Sequence, residues 1–132
     1  MTENPTIKKI LVVDDDPVQV RLLSDALTGK GFEISTSTEA AKGLQMAMDQ
    51  APDMIILDVM MPIINGYNFC KLIKSQDIKN EIPVILLTSR DQKEDIEIGM
   101  DVGADAYLTK PVNIAELLRT INCIAAGQKK TP

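Results

Sequence analysis

The sequence predicts an α/β fold in which one parallel sheet carries helices on both of its faces. Three observations lead there. Short apolar runs alternate with longer amphipathic segments along the 132 residues. The runs at 10–13, 55–57 and 84–87 are apolar without interruption, as strands covered on both faces must be. Chain breakers fall at the joints, among them Gly29, Pro52, Gly66, Pro83, Gly103 and Pro111.

KKILVV (8–13) reads as the first strand. Asp16 before Pro17 reads as a helix N-cap with Pro at the first helical position, and Gln19 stands where it could complete a capping box. Val20, Leu23 and Leu27 then recur at helical spacing. FEISTS (32–37) is a weaker strand, followed by a helical stripe of Ala41, Leu44 and Met48. MIIL (54–57) is the third strand, and Tyr67 to Lys74 offer Phe69, Leu72 and Ile73 to a third helix. PVILLT (83–88) is the fourth strand. A helix is expected over 92–102 from Ile96 and Met100, although Gly99 interrupts its thin stripe. DAYLT (105–109) is the last strand, and Ile114, Leu117, Ile121 and Ile124 mark the last helix. One domain is expected over 8–126, between an N-terminal tail (1–7) and a C-terminal tail (127–132) that is either frayed or the start of a linker.

Apolar residues make up 45% and charged residues 25%, a soluble globular composition. No apolar stretch is long enough to cross a bilayer and MTENPTIKK lacks a signal-peptide layout, so a cytoplasmic protein with no membrane contact is expected. The net charge is -5, aromatics are 3% with no Trp, and the basic runs are limited to the pairs Lys8-Lys9 and Lys129-Lys130. Nucleic-acid binding by this domain is therefore not expected. Histidine is absent, which excludes His-based acid–base catalysis, Ser-His-Asp triads and His-ligated zinc. Cys70 and Cys123 read as buried, reduced thiols.

Ligands of an open parallel sheet bind at the carboxyl ends of its strands. Asp14 and Asp15 follow ILVV, Asp58 follows MIIL, Thr88 closes PVILL and Lys110 follows AYLT. All five can converge on one rim. Taken singly, Lys110 could be a solvated loop residue, Thr88 an ordinary strand residue and Asp105 a turn residue. Together, three carboxylates on one rim repel one another, each unit pair at 4 Å by roughly 4 kcal/mol at an effective dielectric of 20. A divalent cation removes that conflict, and all-oxygen ligation points to Mg²⁺, with Mn²⁺ also possible. A cation, an ammonium and a hydroxyl around a carboxylate form a receptor for a phosphoryl group. Asp58 can then act as the nucleophile and become an aspartyl phosphate.

ILVVDDD (10–16), ILDVMMPIING (56–66), ILLTS (85–89) and GADAYLTKP (103–111), in this order, resemble the receiver domain of bacterial two-component response regulators. The resemblance implies the flavodoxin-like fold with strand order 2-1-3-4-5. It implies Asp58 as phosphoacceptor and also as a metal ligand, Asp15 as direct Mg²⁺ ligand, Asp14 as a ligand through water, and the Met60 carbonyl as a further ligand. Lys110 would pair with the phosphoryl group, Thr88 with Ser89 beside it would reposition to bond it, and Tyr107 would swing inward. The donor would be a phosphohistidine on a cognate histidine kinase or phosphotransfer protein. The domain would catalyse its own phosphorylation and slow dephosphorylation without being a conventional enzyme.

The regulatory face would be 92–126, bound by a downstream protein or output domain, with the chain monomeric or dimerising on phosphorylation. The resemblance also implies that Met60 and Arg90 occupy positions that tune the lifetime of the aspartyl phosphate. An apolar Met60 cannot orient an attacking water, so slow self-hydrolysis is expected. Val112 stands where many members of that family have an aromatic, which is expected to loosen packing near the last helix. Two rivals remain: a binding module of this fold that is not phosphorylated, and a phosphatase of the haloacid-dehalogenase type using Asp14 and Asp16 of D-x-D-x-V.

Overall fold

Three of the strands form where the uninterrupted apolar runs lie. The structure, a computed structural model, describes residues 7–59, 66–75, 82–88 and 103–127. In chain order these hold β1 (Lys9–Val13), α1 (Pro17–Thr28), β2 (Glu33–Ser37), α2 (Ala40–Gln50) and β3 (Met54–Asp58). They continue with α3 (Gly66–Lys74), β4 (Val84–Thr88), β5 (Ala106–Thr109) and α4 (Ile114–Ala125). The helix expected over 92–102, along with Met60, Ser89 and Arg90, lies outside the described residues. Among the described residues no helix is long and apolar enough to cross a membrane.

The strands pair in parallel in the order β2-β1-β3-β4-β5, the flavodoxin-like arrangement that the motifs implied. The period-two alternation of side chains then divides the core. Leu11, Val13, Ile55, Leu57, Leu86 and Tyr107 face α2 and α3, where they meet Ala47, Phe69, Cys70 and Ile73. Ile10, Val12, Ile56, Ile85, Leu87 and Leu108 face α1 and α4, where they meet Leu23, Leu27, Leu117, Ile121 and Ile124. Val112 packs half-buried against this second cluster.

The α1 stripe lies as predicted, with Val20, Leu23 and Leu27 buried. Asp16 caps it, accepting the Val18 N–H at 3.0 Å, with Pro17 at the first position. The α2 stripe is shifted. Its buried residues are Ala40, Gly43 and Ala47, whereas Ala41 and Met48 are exposed and Leu44 is half-buried. Contact distance is the reason: a Cβ at Gly43 would stand 2.8 Å from Val13 Cγ2, so the helix lies too close to β1 for large side chains. Leu72 is likewise 43% exposed rather than part of the core.

Asp105 does more than form a turn. Its Oδ2 accepts the Val84 N–H at 2.9 Å and pairs with Lys74 Nζ at 2.9 Å, and Nζ also donates to the Ile82 carbonyl at 2.8 Å. This ties the end of α3 to the starts of β4 and β5. Burial pushes the neighbouring Cys70 thiol up to about 11, even though the Lys74 ammonium acts against it, so Cys70 is an inert thiol at neutral pH. Cys123 is only half-buried.

Candidate functional site

Parallel register brings the polar residues together. Val13 pairs with Leu57 and Asp58 with Leu87, so the residue after β1 stands level with the last residue of β3. That is where the strand order reverses, the position at which open α/β sheets hold ligands. Asp14 is 1% exposed and Asp58 4% exposed, whereas Asp15 faces solvent. One carboxylate oxygen from each of these three lies within 4.8 Å of the others.

Each element fixes its own contribution. The Asp14 N–H donates to the Ser37 carbonyl at 3.2 Å, which anchors it to the end of β2. Its Oδ1 accepts the Asp16 N–H at 2.9 Å, turning the chain into the α1 cap. The Val59 N–H donates to the Leu87 carbonyl at 2.9 Å, continuing the β3–β4 ladder past Asp58. Gly66 closes the return: its N–H bonds the Val59 carbonyl at 2.9 Å, and an added Cβ would stand 2.5 Å from the Asp58 carbonyl oxygen. Only glycine permits α3 to start so near the Asp58 backbone.

Lys110 completes the rim. Its N–H donates to the Thr88 carbonyl at 2.7 Å, and its peptide with Pro111 is cis. Its Nζ lies 3.1 Å from Asp14 Oδ2 and 3.2 Å from Asp58 Oδ1. Burial pulls the ammonium's pKa down, but hydrogen bonds and charge from Asp14 and then Asp58 outweigh it and hold the pKa above the ordinary lysine value. Among the described residues this ammonium pairs with two of the three clustered carboxylates, which leaves negative charge in excess there. All the donors are oxygens, which suits a hard divalent cation rather than zinc or copper.

Thr88 is fully buried. Leu86 pairs with Tyr107 and Thr88 with Thr109, so Thr88 and Tyr107 share one face of the sheet. The Tyr107 ring points inward at 8% exposure, its hydroxyl 3.4 Å from that of Tyr67. Asp14, Asp15, Asp58 and Lys110 therefore meet at one rim, with Thr88 beside it and Tyr107 below. Sequence reasoning missed Ser37 and Tyr67. The carbonyl of Ser37 leaves no sequence trace, whereas Tyr67 could have been noticed as a polar-tipped aromatic directly after Gly66.

A family model described as "Response regulator receiver domain" matches residues 10–122. The chain belongs to the response regulator receiver domain family. This receiver domain is 35% identical to the protein PilH of Pseudomonas aeruginosa over 119 residues, covering 90% of this chain and 98% of PilH. It is 34% identical to the DNA-binding dual master transcriptional regulator RpaA of Synechocystis, covering 94% of this chain but 52% of RpaA. The receiver domain thus spans about half the length of some curated relatives and nearly all of another. Among solved structures, the chemotaxis response regulator CheY4 of Vibrio cholerae superposes with a TM-score of 0.84 at 33% identity, covering 90% of this chain and 99% of CheY4.

Proposed function

We propose that this receiver domain is a phosphorylation-driven switch in which Asp58 accepts a phosphoryl group. The observation that carries the reading is the Lys110 ammonium placed between the buried Asp14 and Asp58 carboxylates, at 3.1 and 3.2 Å. An Asp58 carboxylate oxygen attacks the phosphorus of a phosphohistidine on a histidine kinase or phosphotransfer protein. The P–O bond forms as the P–N bond breaks, and the imidazole leaves with the bonding pair. Asp15, Asp58, Asp14 and the Met60 carbonyl would hold Mg²⁺ or Mn²⁺, which supplies positive charge to the phosphoryl oxygens. Lys110 stays protonated and exchanges its Asp58 contact for a phosphoryl oxygen. Thr88, with Ser89 next to it, supplies hydroxyl donation, and the inward Tyr107 ring fills the space behind Thr88.

Signalling then requires a shift between two states. Moving a population from 1:99 to 99:1 needs about 5.5 kcal/mol. A neutral hydrogen bond from Thr88 supplies roughly 0.5–1.5 kcal/mol, and one to a charged group about 1.5–3. Thr88 alone is insufficient, so Lys110 and the binding of a downstream protein or output domain share the shift. The output face proposed is 92–126, and the protein acts in the cytoplasm, as a monomer or a phosphorylation-linked dimer.

The test is intact mass after incubation with acetyl phosphate. One added phosphoryl group with Mg²⁺, and none with a chelator, is the expected result. No adduct, together with no binding of beryllofluoride, would leave the unphosphorylated binding module as the better reading. The phosphatase reading has lost support, because the Asp16 carboxylate is engaged in capping α1. Following the same adduct over time tests Met60: Met60→Asn is expected to shorten its lifetime severalfold, since an amide can orient an attacking water. An unchanged decay would contradict that role.

A further inference from the structure

We infer that Tyr67 is a positioning residue for the Tyr107 ring, its hydroxyl drawing that ring to the inward side of β5 and linking it to the backbone that bears Asp58. This rests on the switch reading and extends it by naming the group that receives the ring. The two hydroxyls stand 3.4 Å apart across 40 residues of sequence. The Tyr107 ring packs in the cluster under α2 and α3, and Tyr67 packs half-buried against the same cluster. Tyr67 supplies one polar neighbour for the hydroxyl of this buried tyrosine.

The link to the rim is short. Tyr67 follows Gly66, whose N–H bonds the Val59 carbonyl and whose bare Cα lies against the Asp58 carbonyl. Any displacement of the Asp58–Val59 backbone is therefore carried into the first turn of α3 and to the Tyr67 ring. On the other side, Tyr107 shares its sheet face with the buried Thr88. Tyr67 thus gives the rim a second route to Tyr107, through the end of β3 rather than through β4. At 3.4 Å the contact is longer than a strong O–H···O bond, so it biases the ring without locking it. A weak neutral hydrogen bond corresponds to roughly a two- to tenfold change in population.

The chain has two tyrosines and no Trp, so 3-fluorotyrosine labelling gives a two-line ¹⁹F spectrum, assigned by deletion in Tyr67→Phe and Tyr107→Phe. A soluble gadolinium chelate reports how accessible each ring is. In Tyr67→Phe the Tyr107 line is expected to broaden roughly two- to tenfold more than in the parent. Labelling by acetyl phosphate slows within the same range, while Mg²⁺ affinity is unchanged. Leu72→Ala, on the exposed side of α3, leaves the Tyr107 line where it was. A Tyr107 line equally protected in Tyr67→Phe overturns the inference, as does a parallel loss of Mg²⁺ affinity, which marks a general disturbance of the end of β3. A parent protein that takes no phosphoryl group defeats the switch reading separately; the protection of the ring in Tyr67→Phe still decides whether Tyr67 holds it.

Discussion

Asp58→Asn is expected to take up no phosphoryl group from acetyl phosphate, yet to melt at least as high as the parent when no divalent cation is present. The amide is nearly isosteric and its oxygen can still accept from Lys110, which stands 3.2 Å from Asp58 Oδ1. It lacks the charge and nucleophilicity that phosphoryl transfer needs. Removing that charge also relieves repulsion from Asp14 and Asp15, whose oxygens lie within 4.8 Å. The relieved repulsion outweighs the lost ion pair by a small margin, because the Asn oxygen can still accept from Lys110. A net gain of about 1 kcal/mol, or about 3–5 °C, follows for a domain of this size. Mg²⁺ should then raise the melting temperature of the parent more than that of the variant, because a ligand stabilises in proportion to its affinity for the folded state. Intact mass and thermal melts, with and without Mg²⁺, read both effects. A variant that melts several degrees lower without cation would mean that the rim is not under electrostatic tension.

Lys110→Ala should act in the opposite direction. It strands two carboxylates that are 2% and 5% exposed at their side chains. Removing one partner of a fully buried pair costs about 3–5 kcal/mol. With the Lys110 side chain 23% exposed, screening reduces that to about 2–4 kcal/mol. Because the folded-state pKa of Lys110 is raised above 10.5, its contribution is fully present below 10.5 and is lost only as pH rises through the folded value. The deficit of the variant should therefore stay constant between roughly pH 6 and 9. Added Mg²⁺ should recover part of it, since a second source of positive charge reaches the same carboxylates. Urea unfolding at neutral pH, with and without Mg²⁺, measures this. A deficit that Mg²⁺ leaves untouched would assign the loss to packing instead.

The strands were legible because burial on both faces leaves an uninterrupted apolar run, and β3 and β4 are buried along their whole length. The rim was legible for a related reason: polar residues that end such runs must lie at a sheet edge. Close approach was not legible. The α2 stripe shifted because Gly43 sets a helix–strand distance, and distance leaves no periodic signature. Backbone partnership was equally hidden, since the hold of Ser37 on Asp14 passes through a carbonyl that every residue possesses. The Lys74–Asp105 pair joins residues 31 apart, and nothing local in either segment announces the other.

That pair bears on how the sheet can deform. Lys74, Ile82, Val84 and Asp105 lie at the ends of β4 and β5 opposite to Thr88 and Lys110, and one half-buried ammonium and one carboxylate fasten them together. The two strands resemble a beam clamped at one end. A load applied at the free end deflects that end most and dies away toward the clamp. A phosphoryl group on Asp58 would load the free end, so its effect is concentrated at the rim and on the surfaces that adjoin it. The clamped end keeps β4 and β5 in register while their tips move.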